Sequence, residues 1–209
     1  SATVICTDKT GTLTLNRMCA TRVFVNDRMI EVRGTGYAPE GGFLTGKEPM
    51  TREDLKKDGA LDLLAIMALC NNAKLHPSAK GGDWTVSGDP TEGALLTIAA
   101  KAGLDLASLE KNYKRSAHLP FERIRKRMTT IHEAKGGLRA FVKGSPKEVL
   151  ALSTRISKGG MVVPLSDEER SLILRENDSM ARSGLRVLAA AYREVERSDK
   201  YDPAEVEED

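Results

Sequence analysis

The sequence predicts an α+β fold, an antiparallel β-sheet flanked by helices. Two pairs of alternating apolar and polar runs face each other across short turns, one around Asn26-Asp27 and one around Lys135-Gly136-Gly137. Helix starts with good capping residues occur at Asp89 and Ser166. Because strands and helices alternate only irregularly, the pattern favours an antiparallel sheet that carries helices.

Composition restricts the functions that the chain could have. Its 209 residues can bury one main core, and 32 basic against 30 acidic side chains predict neither nucleic-acid binding nor attachment to a membrane surface. Cys6, Cys19 and Cys70 lie far apart without the spacing of a zinc site, which indicates reduced thiols in cytosol. Apolar stretches are too short to span a membrane, so we expect a soluble chain. We also expect the isolated chain to be a monomer.

The first elements form a strand, a hairpin and a loop. Residues 2–6 are apolar and rich in β-branched side chains, as in a buried strand. Ala20–Val25 and Met29–Val32 predict the first hairpin. Gly34–Pro49 holds five glycines and two prolines without a period, so we expect a surface loop there.

Helices follow this loop. Thr51–Asn72 has helical spacing of leucines with a break at Gly59, which predicts a pair of helices that Thr51 could cap. A further helix should begin at Asp89-Pro90-Thr91-Glu92 and end at Gly103, because a capping residue precedes a proline and an acidic residue.

The last third of the chain begins with the second hairpin. Its strands are predicted at Arg127–Glu133 and Leu138–Lys143, and a short helix with a capping box should follow at Ser145–Glu148. Another capping box at Ser166–Glu169 predicts a helix that runs to Gly184.

A strand and a tail complete the expected order of elements. Leu185–Val195 has the apolar spacing of a strand. From Glu205 the sequence is acidic, and we expect this tail to fray.

Asp8 and its neighbours suggest a covalent phosphoryl transfer. A carboxylate at the end of a strand suits a nucleophile that becomes an acylphosphate. Lys9 supplies positive charge, while Asp8 and Thr10 offer oxygen ligands to Mg²⁺, and Gly11 lets the backbone turn closely. An ordinary polar turn is the alternative interpretation.

Two later segments have the chemistry of a nucleotide site. Pro120–Met128 joins one aromatic ring to four cations, which suits stacking on adenine with phosphates nearby, although Phe121 could instead belong to the core. Lys143 lies at a strand end, and Gly144 permits close approach before a helix N-terminus. Glu92, in a first helical turn, could be purely structural.

These motifs resemble those of P-type ATPases. Residues 8–14 match the phosphorylation motif of that family letter for letter, and later segments resemble its type II, calcium-pump-like members. The later segments are, in order, Ser87–Leu96, Pro120–Met128, Phe141–Pro146 and Gly184–Ala189. The resemblance covers nearly the whole chain and preserves the order of the motifs.

The resemblance implies roles for individual residues. In a whole pump Asp8 would accept the γ-phosphoryl of Mg-ATP, assisted by Lys9 and Thr10, and the acylphosphate would drive ion transport. Glu92 would face the adenine and Phe121 would stack on it. The resemblance also assigns nucleotide contacts to Arg123, Lys126, Met128, Lys143, Gly144, Arg186 and Leu188.

The resemblance also implies a domain plan. Residues 1–17 would start the phosphorylation domain, 18–195 would form the nucleotide-binding domain, and 196–209 would lead to the remainder of the phosphorylation domain. The chain would be a cytoplasmic part of an integral membrane protein and would contact the remaining phosphorylation, actuator and membrane domains. Since the other Mg²⁺ ligands of the family lie in the remainder, we expect this piece to bind nucleotide without pumping. The ion is not specified by these residues.

Two other functions stay open. A soluble phosphatase or phosphotransferase of the haloacid-dehalogenase superfamily would share the aspartate nucleophile but needs Mg²⁺ carboxylates downstream, for which Asp199 and Asp202 are poor candidates. A binding module without catalysis would keep Asp8 as a vestige.

Overall fold

The structure is a computed structural model that describes residues 16–77 and 84–207. The strand expected at residues 2–6 lies outside the described residues. The strands are β1 (Arg22–Val25), β2 (Arg28–Val32), β3 (Phe43–Thr45), β4 (Glu48–Met50), β5 (Lys74–His76), β6 (Thr85–Ser87), β7 (Arg115–Glu122), β8 (Arg127–Ala134), β9 (Gly137–Gly144), β10 (Arg155–Lys158), β11 (Met161–Pro164) and β12 (Ala189–Val195). The helices are α1 (Arg52–Lys57), α2 (Ala60–Leu69), α3 (Pro90–Lys101), α4 (Leu106–Asn112), α5 (Pro146–Leu152), α6 (Asp167–Arg182) and α7 (Pro203–Glu207).

All strand pairs in the described residues are antiparallel. One four-stranded sheet has the order β1-β2-β3-β4, and the other has the order β12-β9-β8-β7. Two-stranded ribbons, β5-β6 and β10-β11, complete the set. Helices pack against these sheets, so the predicted α+β class with an antiparallel sheet is confirmed.

The first hairpin forms as predicted, but the prediction of a surface loop at Gly34–Pro49 is wrong. Asn26 and Asp27 have φ angles of 50° and 59°, the left-handed values of a tight hairpin turn. Gly34–Pro49 contains β3 and part of β4, because Phe43 pairs with Val32 and is buried in the core. Strands of three residues are too short to show an alternating pattern.

The predicted helical pair is α1 and α2. Thr51 and Asp54 form a capping box, in which the Thr51 amide donates to Asp54 Oδ2 at 2.9 Å and the Asp54 amide donates to Thr51 Oγ1 at 3.2 Å. Gly59 separates the helices with a φ of 77°. The core between these helices, α3 and the first sheet contains Ile30, Phe43, Leu55, Leu64 and Ile98.

The second hairpin, β8-β9, also forms as predicted. Helix α5 begins at Pro146, but the predicted capping box is wrong, because Ser145 makes no side-chain cap hydrogen bond. The Glu148 side chain instead accepts a hydrogen bond from Lys126 at 2.6 Å. The Ser145 amide that a capping box would use donates to the Lys126 carbonyl at 2.9 Å, so it is not available to Glu148.

Helix α6 confirms its predicted capping box, since Ser166 and Glu169 bond reciprocally. Strand β12 begins only at Ala189, because its partner β9 ends opposite it at Gly144. Residues 185–188 therefore lie before the strand.

The expectation that the tail frays from Glu205 is wrong for its described part. Residues Pro203–Glu207 form α7, with Val206 and Glu207 buried. Val206 packs with Ile131, Leu138 and Ala140 on one face of the second sheet. The apolar side chain within the acidic run explains the order.

Candidate functional site

A buried ion pair connects the second sheet to helix α3. Lys143 Nζ in β9 lies 2.7 Å from Glu92 Oε1 in the first turn of α3, and the two side chains are only 7% and 13% exposed. Glu92 Oε2 also accepts from the backbone amide of Asn72 at 3.1 Å. Buried charges require such partners. Lys143 and Glu92, which were predicted to share a site, are therefore in direct contact. They are 51 positions apart in the sequence.

The position of Glu92 depends on the start of its helix. Asp89 caps α3, with Oδ1 accepting from the amides of Thr91 at 2.8 Å and Glu92 at 3.2 Å. Pro90 occupies the first helical position, where no amide donor is needed. The predicted helix start is confirmed, and it fixes Glu92 at the helix end that favours carboxylates.

Arg186 reaches the same helix end. Its Nη1 donates to Thr91 Oγ1 at 2.9 Å, although the two residues are 95 positions apart. Burial opposes the charge of Asp89 most strongly, yet hydrogen bonds from the Glu92 amide and from Thr91, with the charge of Arg186, keep the pKa of Asp89 below its ordinary 3.8. Arg186 therefore adds positive charge beside Glu92 while its side chain stays exposed.

Met128 and Cys70 form an apolar floor beside Lys143. Met128 lies directly opposite Lys143 in the β8-β9 register, so both side chains lie on one face of the sheet. Met128 packs with Cys70 and Phe141, and the Cys70 thiol lies 3.6 Å from the Met128 carbonyl oxygen. Burial raises the pKa of Cys70 more than the nearby charge of Lys143 lowers it. The thiol is therefore a core group.

Phe121 lies at an irregularity of the sheet edge. Leu119 pairs with Thr129 and Glu122 pairs with Arg127, so a β-bulge leaves Pro120 and Phe121 opposite the single residue 128. Phe121 is 58% exposed, so its alternative assignment to the core is wrong. An exposed ring beside the strand pair that carries Lys143 is a suitable stacking surface.

The four cations after Phe121 have separate surroundings. Arg123 is exposed in the turn between β7 and β8. Lys126, with a φ of 51°, pairs with Glu148. Arg125 and Arg127 both bind the buried carboxylate of Glu207. The predicted cluster of cations is therefore divided, and only Arg123 and Lys126 have exposed charged groups on this turn.

Gly144 and Leu188 have packing environments of their own. A Cβ atom on Gly144 would lie 2.5 Å from both Arg127 Cβ and Lys126 O, so the close approach that the glycine permits is that of strand β8. Leu188 is half-buried and directly precedes Ala189, the partner of Gly144 in β12. Both residues lie at the end of β9 that carries Lys143.

Arg115 also supports the site, although the sequence did not indicate it as a site residue. This side chain donates to Asn72 Oδ1 at 2.8 Å, to the Leu69 carbonyl at 2.8 Å and to the Asn71 carbonyl. Arg115 thus holds the segment 69–72, in which the Asn72 amide donates to Glu92. Its partners are more than 40 residues away, and no local pattern could have indicated them.

The charges of the same site affect the pKa of His118 in β7. Burial, followed by the charges of Arg115 and Lys143, lowers the pKa of His118 despite the opposing effect of Glu92. A neutral imidazole therefore faces this group of charges near pH 7.

Asp8, Lys9 and Thr10 lie outside the described residues, so the predicted nucleophile and Mg²⁺ ligands stay predictions. Within 16–77 and 84–207, no group of three or more His, Cys, Asp or Glu side chains could hold a metal ion. In the same ranges no helix has the length and apolar character needed to cross a membrane.

Comparisons with known proteins agree with the motifs. A family profile described as P-type ATPase, cytoplasmic domain N, matches residues 60–209. The calcium-transporting ATPase of Bacillus subtilis (strain 168) is 35% identical over the whole chain, which covers 23% of that protein. The cation-transporting ATPase pma1 of Synechocystis is 39% identical over 94% of the chain and 21% of its own length.

A human relative gives the same result. Calcium-transporting ATPase type 2C member 2 of Homo sapiens is 35% identical over 90% of the chain and 20% of its own length. The chain therefore spans about a fifth to a quarter of the length of these relatives.

Proposed function

Since the chain belongs to the P-type cation-transporting ATPases and its residues 60–209 match their cytoplasmic domain N, we propose that it binds ATP at the site around Lys143 and Glu92. The observation that carries this proposal is the convergence of distant motifs. Lys143 contacts Glu92, and Arg186 contacts Thr91 in the same helical turn. Ordinary packing does not require a lysine, a glutamate and an arginine from three distant segments at one helix end.

Phe121 and the ion pair provide two kinds of contact to an adenine base. The exposed ring offers a stacking surface, and a stacked base contributes about 1–3 kcal/mol in other proteins. Glu92 supplies carboxylate oxygens that can accept from an exocyclic amine, while Lys143 and Met128 border the base. Lys143 and Glu92 hold each other through their 2.7 Å contact, so these polar groups are positioned before the base binds.

The phosphates of ATP would lie towards the exposed cations. Arg186 and Arg123 present planar guanidinium groups, which bind phosphate oxygens through paired hydrogen bonds. Lys126 is a further donor, although it must exchange its contact with Glu148. Gly144 and Leu188 would shape the adjoining wall at the end of β9.

For the whole protein we propose phosphoryl transfer to Asp8. A carboxylate oxygen of Asp8 would form a bond to the γ-phosphorus, the bond from this phosphorus to the β,γ-bridging oxygen would break, and ADP would leave. Bound Mg²⁺, with Asp8 and Thr10 among its ligands, would neutralise charge that develops on the phosphate oxygens. Lys9 would add positive charge. The acylphosphate would drive cation transport across a membrane, and calcium is the cation named for several relatives.

Titration of ATP into the chain by calorimetry tests the site. We expect weak saturable binding that Phe121→Ala and Lys143→Ala each weaken about tenfold or more, because stacking and a charged contact are lost. Arg186→Ala probes the same site at an exposed position, where no buried charge is left unpaired. Lys147→Ala is the matched control, since Lys147 is an exposed lysine on α5.

Thermal unfolding of every variant accompanies the titrations, because removing Lys143 leaves Glu92 without its cation. Binding that is indifferent to Phe121, Lys143 and Arg186 in folded variants would remove the site assignment. A wild-type chain that binds no ATP would favour a binding module without nucleotide.

A further inference from the structure

Glu207 is a fully buried carboxylate on the far side of the turn that carries Phe121. Its side chain has 0% exposure. Oε1 lies 2.5 Å from Arg125 Nη1 and accepts from Thr129 Oγ1 at 2.5 Å, while Oε2 lies 2.6 Å from Arg127 Nε. Two guanidinium groups and a hydroxyl thus satisfy one carboxylate. Since a buried charge without a partner is costly, each of these groups holds the others in place.

Arg125 connects this carboxylate to the backbone around Phe121. Its Nη2 donates to the Pro120 carbonyl at 2.8 Å, and its Nε donates to Glu122 Oε2 at 3.2 Å. Phe121 lies between these two acceptors, in the β-bulge. A guanidinium is planar and presents its donors in fixed directions, so anchoring one edge on Glu207 fixes where the other donors hold residues 120 and 122.

Glu207 is itself held by apolar packing rather than by its ion pairs alone. Its neighbour Val206 is buried in the cluster that includes Ile131, Leu138 and Ala140. This packing sets helix α7 on the face of the sheet opposite to Lys143. The carboxylate therefore provides a fixed point from which Arg125 can position the turn.

We propose that Glu207 is a positioning residue for nucleotide binding, which acts through Arg125 to hold Phe121 where it can stack on a base. This inference rests on the proposed ATP site. It also assigns a task to Arg125 and Arg127 that is distinct from phosphate binding, because both guanidinium groups are directed to Glu207. Residues at the end of α7 then influence base stacking without contact with the nucleotide.

A double-mutant cycle tests this coupling. ATP affinity is measured by NMR titration to high millimolar ATP, which keeps weakened variants measurable, for the wild type, Glu207→Gln, Phe121→Leu and the double variant. We expect Glu207→Gln to weaken ATP binding about three- to tenfold, a part of the stacking contribution. In the Phe121→Leu background the same substitution should have no further effect, because the ring that it positions is gone.

Glu205→Gln is the matched control, because it makes the same chemical change at an exposed position of the same helix. It should leave ATP affinity unchanged. If Glu207→Gln does not fold, Arg125→Lys replaces it in the cycle. A lysine keeps the charge opposite Glu207 but cannot hold Pro120, Glu122 and Glu207 in one planar arrangement.

The outcomes separate the inference from the proposed function. An equal loss of affinity in both backgrounds, or no loss in either, would overturn the positioning role while leaving the ATP site intact. A wild-type chain that shows no ATP binding would remove the proposed function, and the inference with it. Loss confined to the background that contains Phe121 supports the inference.

Discussion

Glu148 illustrates how one contact sets the titration of a side chain. The hydrogen bond from Lys126 is the main cause that lowers the pKa of Glu148 from its ordinary 4.5 to about 2, and the Ser145 hydroxyl adds to it. The folded pKa is therefore below the unfolded one. The contribution of this group to the free energy of unfolding is complete above pH 4.5 and is lost as the pH falls towards 2.

Glu148→Gln should accordingly flatten the acid limb of the stability curve. Urea unfolding measured between pH 7 and pH 2 should show a smaller loss of stability below pH 4.5 in the variant than in the wild type. The effect is small, because Lys126 is largely exposed and solvent screens the pair. Glu110→Gln, at an exposed position of α4, serves as control. Identical curves for Glu148→Gln and wild type would contradict the assignment.

At the residue scale the resemblance to a family singled out Glu92, Lys143 and Arg186, but it did not indicate the contacts that these side chains make. The structure brings the three side chains to one helix end, and their roles in nucleotide binding stay predictions. The attachment of Arg125 to Glu207 was not predicted, since 82 residues separate them and a guanidinium in a basic run has no distinguishing pattern. Contacts across the fold are set by packing that no short window of sequence contains.

Helix α3 depends on a glycine within its first turns. A Cβ atom at Gly93 would lie 2.5 Å from Val86 Cγ1 of strand β6, so the helix can approach the β5-β6 ribbon only without a side chain there. This approach places Glu92 near the Asn72 amide. The glycine thus costs helix propensity but permits the packing that forms the site.

Gly93→Ala should therefore destabilise the protein by about 1–3 kcal/mol, although alanine is the better helix former. Denaturant unfolding measures the change. Val86→Ala combined with Gly93→Ala should recover most of the loss, because the clash is relieved. A stabilising Gly93→Ala would show that β6 can move away freely.

Prediction at the element scale was best for the β1-β2 and β8-β9 hairpins and for the capped helices α1, α3 and α6. Strand β7 and the β10-β11 hairpin, whose strands have four to eight residues, were not predicted. Strands β3 to β6, each of three residues, were not predicted either, because an alternating pattern needs more positions. Helix α4 was also missed. It has only seven residues, of which Leu106 and Leu109 are partly buried against the cores, and so short a segment shows no clear apolar period.

At the scale of the whole molecule, helix α7 closes one face of the second sheet. Val206 covers Ile131, Leu138 and Ala140, and Glu207 forms ion pairs with two guanidinium groups. The acidic composition of this segment suggested a tail without structure. The apolar side chain of Val206 and the buried ion pairs of Glu207 order this segment in spite of its acidic composition. Neither could be recognised from the sequence without knowledge of the sheet against which they pack.

Deletion of residues 203–209 should lower the free energy of unfolding by about 3 kcal/mol or more, since buried arginines lose their counter-charge and apolar surface is exposed. Differential scanning calorimetry measures the loss. Val206→Ala should account for the apolar part alone, at about 1–2 kcal/mol. A deletion no more costly than Val206→Ala would mean that the buried ion pairs add nothing.

The bulge at Pro120 and Phe121 also affects whether two copies of this protein can pair through their sheet edges. Strand β7 is an outer strand of its sheet, and an outer strand with a regular row of free amides and carbonyls is a template for aggregation. Proline offers no amide, and the bulge breaks the spacing that a neighbouring strand would need. The irregularity that exposes the Phe121 ring also protects the sheet from growing at that side.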